Sequence, residues 1–349
     1  MSLSNYDYQT MREALFYKKL ADNKIGCELC HQSCQIMPGK RGLCGVRENL
    51  DGTLATLVYG KVIAANVDPI EKKPLYHFLP GSQAFSIATV GCNFSCANCQ
   101  NADISQAPKE KSKILPSISG SDVTAEQIVS LALKSNCQSI AYTYTEPTIF
   151  FEFALDCMKL AVKNGLKNIW VSNGYTSQAA LEMAKPYLAA VNIDLKFFSE
   201  KNYQKICGAK LQPVLDNLIW YKKNNIWLEV TTLLIPTLNE GSDELTKIAK
   251  FIKDKLGADT PWHVSAFHPV YKLTKVPPTL TADLKKAWQI GKAVGLHYVY
   301  GGNIFGQGLE DTNCSQCGQT VIARSGYQVK RFDQNGQCQK CDAKISGNL

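Results

Sequence analysis

A chain of 349 residues with 45% hydrophobic and 19% charged side chains has an ordinary globular composition, long enough for about two domains or for one α/β barrel with additions. No apolar run reaches about 18 residues, which argues against a transmembrane helix, and Met1-Ser2-Leu3-Ser4-Asn5-Tyr6 lacks the basic and apolar parts of a secretion signal. The formal charge of +8 is scattered, without a run of five Lys or Arg, so a solvated surface is expected rather than a nucleic-acid footprint.

Cysteine is the unusual component, at fourteen residues. Eleven fall into three groups: Cys27, Cys30, Cys34 and Cys44; Cys92, Cys96 and Cys99; and Cys314, Cys317, Cys338 and Cys341. Cys137, Cys157 and Cys207 stand alone. Without a secretion signal, close C-x2-C pairs favour metal over disulfides, which places the chain in the reducing cytoplasm.

Residues 1 to about 24 have the pattern of one amphipathic helix, with Met11, Leu15 and Leu20 among charged residues. Cys27-x2-Cys30-x3-Cys34 follows, then Cys44 beyond the turn Pro38-Gly39-Lys40-Arg41-Gly42. Four cysteines within eighteen residues suit a closed site, for zinc or for a second iron–sulfur cluster. His31, among them, is expected to be exposed or locally hydrogen-bonded. Gly52 to Val67 alternates weakly (Leu54, Leu57, Tyr59, Val62) and predicts a small hairpin. Asp68-Pro69-Ile70-Glu71-Lys72-Lys73-Pro74-Leu75 is bracketed by proline and predicts an extended connector.

From residue 84 the pattern becomes strand, loop, helix, repeated. The apolar strands are 84–90, 138–144, 167–172, 189–195, 226–235, 262–267 and 296–300. The helical stretches are 124–135, opened by the capping-box pattern Thr124-x-x-Gln127, then 148–164, 177–185, 211–224, 241–256 and 281–294. Such alternation predicts βαβ units, a parallel sheet and an incompletely closed barrel.

The loop after the first of these strands reads Gly91-Cys92-Asn93-Phe94-Ser95-Cys96-Ala97-Asn98-Cys99. Its three thiols sit at a strand's C-terminal end, where α/β folds bind ligands. A structural zinc closes with four ligands, and iron–sulfur clusters normally take four thiolates. A cube held by three leaves one iron open. Polar residues gather at the other strand ends: Thr143, Thr145 and Glu146; Ser172 and Asn173; Asp194 and Lys196; Thr231, Thr232 and Asn239; His268; and Asn303. In a barrel these ends face one mouth. The tail carries Cys314-x2-Cys317 and Cys338-x2-Cys341, with Tyr327-Gln328-Val329 between them as a short strand. Two such knuckles suit a zinc ribbon, and the same sulfur tetrahedron accepts iron as in rubredoxin.

C-x3-C-x2-C after the first barrel strand resembles the signature of radical S-adenosylmethionine (radical SAM) enzymes. The chain is most similar to the pyruvate-formate-lyase-activating-enzyme-like branch, and within it to the radical SAM enzyme of the AmmeMemoRadiSam system. The resemblance runs through Gly42-x-Cys44-Gly45-Val46-Arg47, the Asp68 to Leu75 connector, Gly91-Cys92-Asn93-Phe94, Thr145-Glu146-Pro147, Ser172-Asn173-Gly174, Asp194-Leu195-Lys196, Cys207-Gly208, Gly302-Asn303 and the terminal knuckles. It implies a partial (β/α) radical SAM barrel over 84–311. An N-terminal Cys-rich metal region over 1–83 and a C-terminal zinc ribbon or rubredoxin-like knuckle over 312–349 flank it.

The resemblance also implies a function. Cys92, Cys96 and Cys99 would carry a 4Fe-4S cluster as the catalytic metal centre. S-adenosylmethionine, chelated to the open iron, would be cleaved reductively to a 5′-deoxyadenosyl radical that takes hydrogen from a peptide, protein or small molecule. By position, the Glu146 loop matches the element that holds the methionyl amine. Ser172 and Asn173 match the segment near ribose and carboxylate. Asp194 and Lys196 match the segment lining the cofactor, and His268 matches a histidine that approaches it. Relatives place an aromatic residue before the third cysteine, against the adenine. Here that residue is Asn98, leaving the contact to Phe94 or to a hydrogen bond. Implied partners are a flavodoxin- or ferredoxin-type electron donor and Memo-family and AMMECR-family proteins, with no membrane and no nucleic acid.

Within this oxidoreductase reading, direct modification of substrate is favoured over activation of a glycyl-radical enzyme, because an activase needs no more than the central cluster. A zinc-ribbon nucleic-acid-binding protein is the alternative of another class. The lack of clustered Lys/Arg or interleaved aromatic residues argues against it.

Overall fold

The computed structural model describes residues 12–109, 118–304, 306 and 308–349. Eight strands form one sheet in chain order: β1 (Ala64–Pro69), β2 (Gln83–Ala88), β3 (Ser139–Tyr142), β4 (Lys167–Ser172), β5 (Ala190–Asp194), β6 (Trp227–Leu234), β7 (Trp262–Ala266) and β8 (Val299–Gly302). β2 to β8 are parallel, and β1 is antiparallel to β2 at one edge, with Ala64 opposite Ala88. Parallel neighbours need a crossover. Here the crossovers are α1 (Ala125–Lys134), α2 (Phe151–Lys163), α3 (Gln178–Ala184), α4 (Gln212–Lys223), α5 (Ser242–Phe251) and α6 (Thr281–Val294). This is the radical SAM α/β fold expected from the sequence, and each predicted strand and helix from residue 84 onward has its counterpart.

The helices start and pack for local reasons. Thr124 and Gln127 close the predicted capping box on α1, satisfying two of the helix's orphan amides. A Cβ on Gly291 of α6 would lie 2.8 Å from Val299 and 3.1 Å from Trp262, so glycine lets the helix settle directly on β7 and β8. All four residues of β3 are buried, as expected for a strand covered on both faces. The sheet curls: Pro74, past β1, accepts a 2.8 Å hydrogen bond from Asn192 on β5.

The N-terminal expectations need correction. Residues 12–24 are not helical. Arg12–Glu13 pairs with Thr53–Thr56, Tyr17–Lys19 pairs with Ile25–Cys27, and Ala21–Asn23 make one 3-10 turn. Residues 1–11 of the predicted helix lie outside the described residues. Leu15 is 38% exposed, while Ala14 is buried. Phe16 takes φ 57, which an α-helix does not allow, and its ring packs edge-on against Phe151 of α2 at 5.4 Å. The hairpin expected within 52–67 is also displaced. Thr53–Thr56 pairs backward with Arg47–Leu50 across Asp51 and Gly52, both at positive φ, which is the Asp-Gly turn chemistry of a tight hairpin. Residues 64–69 join the barrel sheet instead. The connector is not extended either, since Ile70–Lys72 form a 3-10 turn that brings Lys72 and Lys73 back onto Asp68 at 2.8 and 2.7 Å.

The tail forms a three-stranded antiparallel sheet, Thr312–Asn313, Thr320–Ser325 and Gln328–Arg331. It packs against Tyr76, Tyr298 and Tyr300, at the N-terminal end of the parallel strands. Arg324 donates to Tyr76 O (2.7 Å) and Thr312 Oγ1 (2.8 Å). His77 bridges Ser346 O (2.6 Å) and the Tyr300 hydroxyl (2.5 Å).

Candidate active site

β2 ends at Ala88, and the thiol loop begins at Gly91, whose φ of 96 suits glycine. A Cβ there would lie 2.6 Å from Val46 Cγ1 and 2.9 Å from Cys44 O. The loop is pinned by its backbone: Ser95 N donates to Cys207 O and Ala97 N to Ile206 O, each at 2.9 Å, and Lys272 N donates to Ala97 O at 3.0 Å. Its supports come from a π-helical turn, Tyr203–Cys207, a local irregularity often found at functional sites.

Cys92, Cys96 and Cys99 open into one cavity of about 290 Å³ at the C-terminal ends of the strands, near the lower end of the range for small-molecule sites. The Cys92 sulfur accepts from Phe94 N at 3.4 Å and from Asn173 Nδ2 at 3.9 Å. The Cys99 sulfur lies 3.1 Å from Ser105 Oγ. The Cys96 thiol is hydrogen-bonded with Cys207, which together with burial pushes it up from its ordinary value. Burial likewise pushes up Cys92. These thiols hold their protons without a metal, and binding one releases them.

Of the other expected site residues, Phe94, Asn98, Glu146, Ser172, Asn173, Asp194 and Lys196 all line this cavity. Their hydrogen bonds separate them into two kinds. The Glu146 carboxylate is buried and already occupied: Oε1 accepts from Thr148 N, Thr148 Oγ1 and Ser172 Oγ, and Oε2 accepts from Asn173 N. Burial pushes its carboxyl up, and these donors work the other way. Glu146 and Ser172 therefore lock two strand-end loops together. Asn98, Asp194 and Lys196 have capacity to spare. Asn98 Oδ1 is buried without a partner, and buried polar atoms normally have one. Lys196 Nζ reaches Asp194 at 2.8 Å, with both side chains partly exposed to the cavity. A spare buried acceptor on the cavity wall and an ammonium able to meet a carboxylate fit S-adenosylmethionine.

His268 is not brought to this site. It is exposed and does not line the cavity. Ser265, within β7, does, whereas His268 lies two residues beyond the end of that strand at Ala266.

The sequence reading missed the cavity's floor. Lys73, with its side chain 2% exposed, lines it beside Lys72 and Tyr144. Asp68 binds Lys72, Lys73 and the Tyr144 hydroxyl at 2.8, 2.7 and 2.6 Å. Burial works against the Asp68 charge, yet these three donors hold its carboxyl well below the usual range. Tyr144 sits at φ 65, a backbone strain often kept at functional sites, which holds its ring over Lys73 Nζ at 4.6 Å. The available signal was the prolines around Lys72-Lys73, which hold two cations in a fixed turn.

The two outer quartets differ. Among the described residues, Cys314, Cys317, Cys338 and Cys341 are the group whose sulfurs all lie within 4.8 Å of one another, with Cys314–Cys341 and Cys317–Cys338 at 3.6 Å. A metal with bonds of about 2.3 Å to four tetrahedral thiolates sets them about 3.8 Å apart, so this quartet could bind one ion. Cys27, Cys30, Cys34 and Cys44 surround a separate small cavity of about 20 Å³. A larger, open groove of about 770 Å³, lined by Tyr59, Glu126 and Asp156 among others, lies on the outside of α1 and α2. None of its lining residues is a thiol.

The fold and this thiol-lined mouth define the class. Residues 86–252 match the radical SAM superfamily, and the chain belongs to it. Membership implies S-adenosylmethionine and a 4Fe-4S cluster. An uncharacterised protein of Methanocaldococcus jannaschii is 44% identical over 337 residues, covering 97% of this chain and 98% of its own. A second protein of that organism, provisionally named a glycyl-radical enzyme activating enzyme, is 25% identical over 190 residues, covering 53% of this chain and 68% of its own. Among solved structures, a domain of pyruvate-formate lyase-activating enzyme from Bacteroides vulgatus matches at 17% identity and TM-score 0.42, covering 47% of this chain and 99% of that one. Among the described residues, no helix is long and apolar enough to cross a membrane.

Proposed function

We propose that the protein is a radical SAM oxidoreductase acting directly on a peptide or small molecule, with Cys92, Cys96 and Cys99 as the ligands of its catalytic cluster. The carrying observation is that three thiols, a spare buried acceptor and an ion pair with spare capacity share one cavity. When bound, the cluster and S-adenosylmethionine supply one-electron cleavage of a carbon–sulfur bond and a 5′-deoxyadenosyl radical. This chain's residues orient and enclose. The loop at Thr145-Glu146-Pro147 takes the methionyl amine through its backbone, held by the Glu146 carboxylate. Lys196 meets the methionyl carboxylate, with Asp194 fixing its direction. Asn173 steadies Cys92, and Asn98 receives an adenine N–H where relatives stack a ring. Phe94, buried against Tyr175 and Tyr203, closes the wall beside it. The polar floor at Lys73 and Tyr144 faces the substrate.

We assign the tail quartet to zinc, consistent with its sulfur spacing, and the working compartment to the cytoplasm. Further parts of the proposal are three modules (1–83, 84–311 and 312–349, the first lending β1 to the barrel), a flavodoxin- or ferredoxin-type donor, and Memo-family and AMMECR-family partners. Direct modification is preferred to glycyl-radical activation because two further four-cysteine sites exceed an activase's needs. Electron paramagnetic resonance of the reconstituted, dithionite-reduced protein tests the site. Adding S-adenosylmethionine is expected to change the cluster's spectrum. An unchanged spectrum in protein shown to carry the central cluster would refute the assignment.

A further inference from the structure

We propose that Cys27, Cys30, Cys34 and Cys44 hold a second iron–sulfur cluster that passes single electrons to the central one. The four thiols line one small cavity. Among the described residues they do not form a compact group like the tail quartet, whose spacing suits a single tetrahedral ion. A cluster spreads its thiolates wider, because each binds its own iron.

The cavity is also built for negative charge. The Cys34 sulfur accepts from Leu43 N at 3.5 Å, and Cys30 and Cys44 receive backbone hydrogen bonds from Gln32 and Val46. Amide donors to sulfur tune cluster potentials. Arg47, 1% exposed, lines the same cavity. One of its nitrogens meets Glu152 at 3.0 Å, but Nε and Nη1 are buried without partners. Asn93, 2% exposed, lines the cavity too, and its side chain hydrogen-bonds the Cys30 thiol. The bonds that Arg47 leaves unmade are costly. An anionic cluster would satisfy them.

The two sites share a wall. The Asn93 side chain faces Cys30 on one side, and its Oδ1 lies 3.8 Å from the Cys92 sulfur on the other. Gly91 packs on the Cys44 carbonyl. On the outer side, Leu43 is 59% exposed, so the site reaches the surface. A one-electron donor of the ferredoxin or flavodoxin class reduces the outer cluster. That cluster is reoxidised as the electron crosses to the central one, and no bond or proton changes at the outer site. The electron's destination rests on the proposed function; the metal site itself does not.

The test is anaerobic reconstitution with iron and sulfide, followed by metal analysis and electron paramagnetic resonance. Wild type is expected to hold about eight irons, against about four for one cluster, with a reduced spectrum broadened beyond the sum of two isolated signals. Cys92→Ser/Cys96→Ser/Cys99→Ser should keep about four irons and a signal that ignores S-adenosylmethionine. Cys27→Ser/Cys30→Ser should keep a signal that responds. About four irons in wild type, with the N-terminal site empty or filled by zinc, overturns the proposal whether or not the variants fold. A spectrum equal to the simple sum overturns the relay. If the triple variant keeps its iron while the double variant's signal ignores S-adenosylmethionine, the central assignment fails and the outer cluster stands.

Discussion

Asn98 stands where the family resemblance leads one to expect an aromatic residue. Its unpartnered Oδ1 is a hydrogen bond in waiting. Asn98→Ala is expected to weaken S-adenosylmethionine binding by about 5- to 10-fold, on the order of 1 kcal/mol for one such bond. Isothermal titration of the reconstituted protein measures this, and unchanged affinity would move the adenine contact to Phe94. Lys73 is a different case. Asp68 and Lys73 are both buried, so Lys73→Met leaves the carboxylate with only Lys72 and the Tyr144 hydroxyl and should cost up to about 3 kcal/mol. Adding Asp68→Asn should recover part of it, because residues in contact are not additive. A single variant that melts with wild type would remove the pair from the structural account. The Lys73 role was not legible in sequence. Two adjacent lysines look solvated until the 3-10 turn folds them inward.

At the scale of elements, the tail docks on the barrel's N-terminal end through His77. Its ring is neutral there, donating from Nδ1 to Ser346 O and accepting at Nε2 from the Tyr300 hydroxyl. Burial lowers its pKa to about 4, against about 6.5 unfolded. As pH falls between these values the unfolded chain binds a proton that the folded one refuses. Stability is therefore intact above about 6.5 and lost toward 4, by on the order of 3 kcal/mol. Melting temperature should fall more steeply between pH 7 and 4.5 in wild type than in His77→Gln. Thiolate protonation affects both, so equal slopes would dismiss His77. The tail's distance from the mouth gives another expectation. Cys317→Ser/Cys341→Ser should lose the bound metal and melt earlier, yet still produce 5′-deoxyadenosine. Abolished production in a folded variant would give the tail a catalytic part.

For the whole molecule, legibility followed element length. Strands and helices from residue 84 onward span enough residues to show their period, and the barrel and its mouth were readable from them. The N-terminal region was not, because its strands run two to four residues, too short for periodicity. Its one local signal is Asp51-Gly52, the tight turn between Arg47–Leu50 and Thr53–Thr56. Of the site, the three cysteines and most strand-end residues were legible. His268 lies past the end of β7 and is exposed, and Arg47 and Asn93 reach the N-terminal thiols through contacts that join distant segments.

The most direct test of the central claim is 5′-deoxyadenosine formation by the anaerobically reconstituted chain with dithionite and S-adenosylmethionine, followed by liquid chromatography. The expected result is formation by wild type and none by Cys96→Ala. No formation by wild-type protein that carries its central cluster, or equal formation by both, would contradict it.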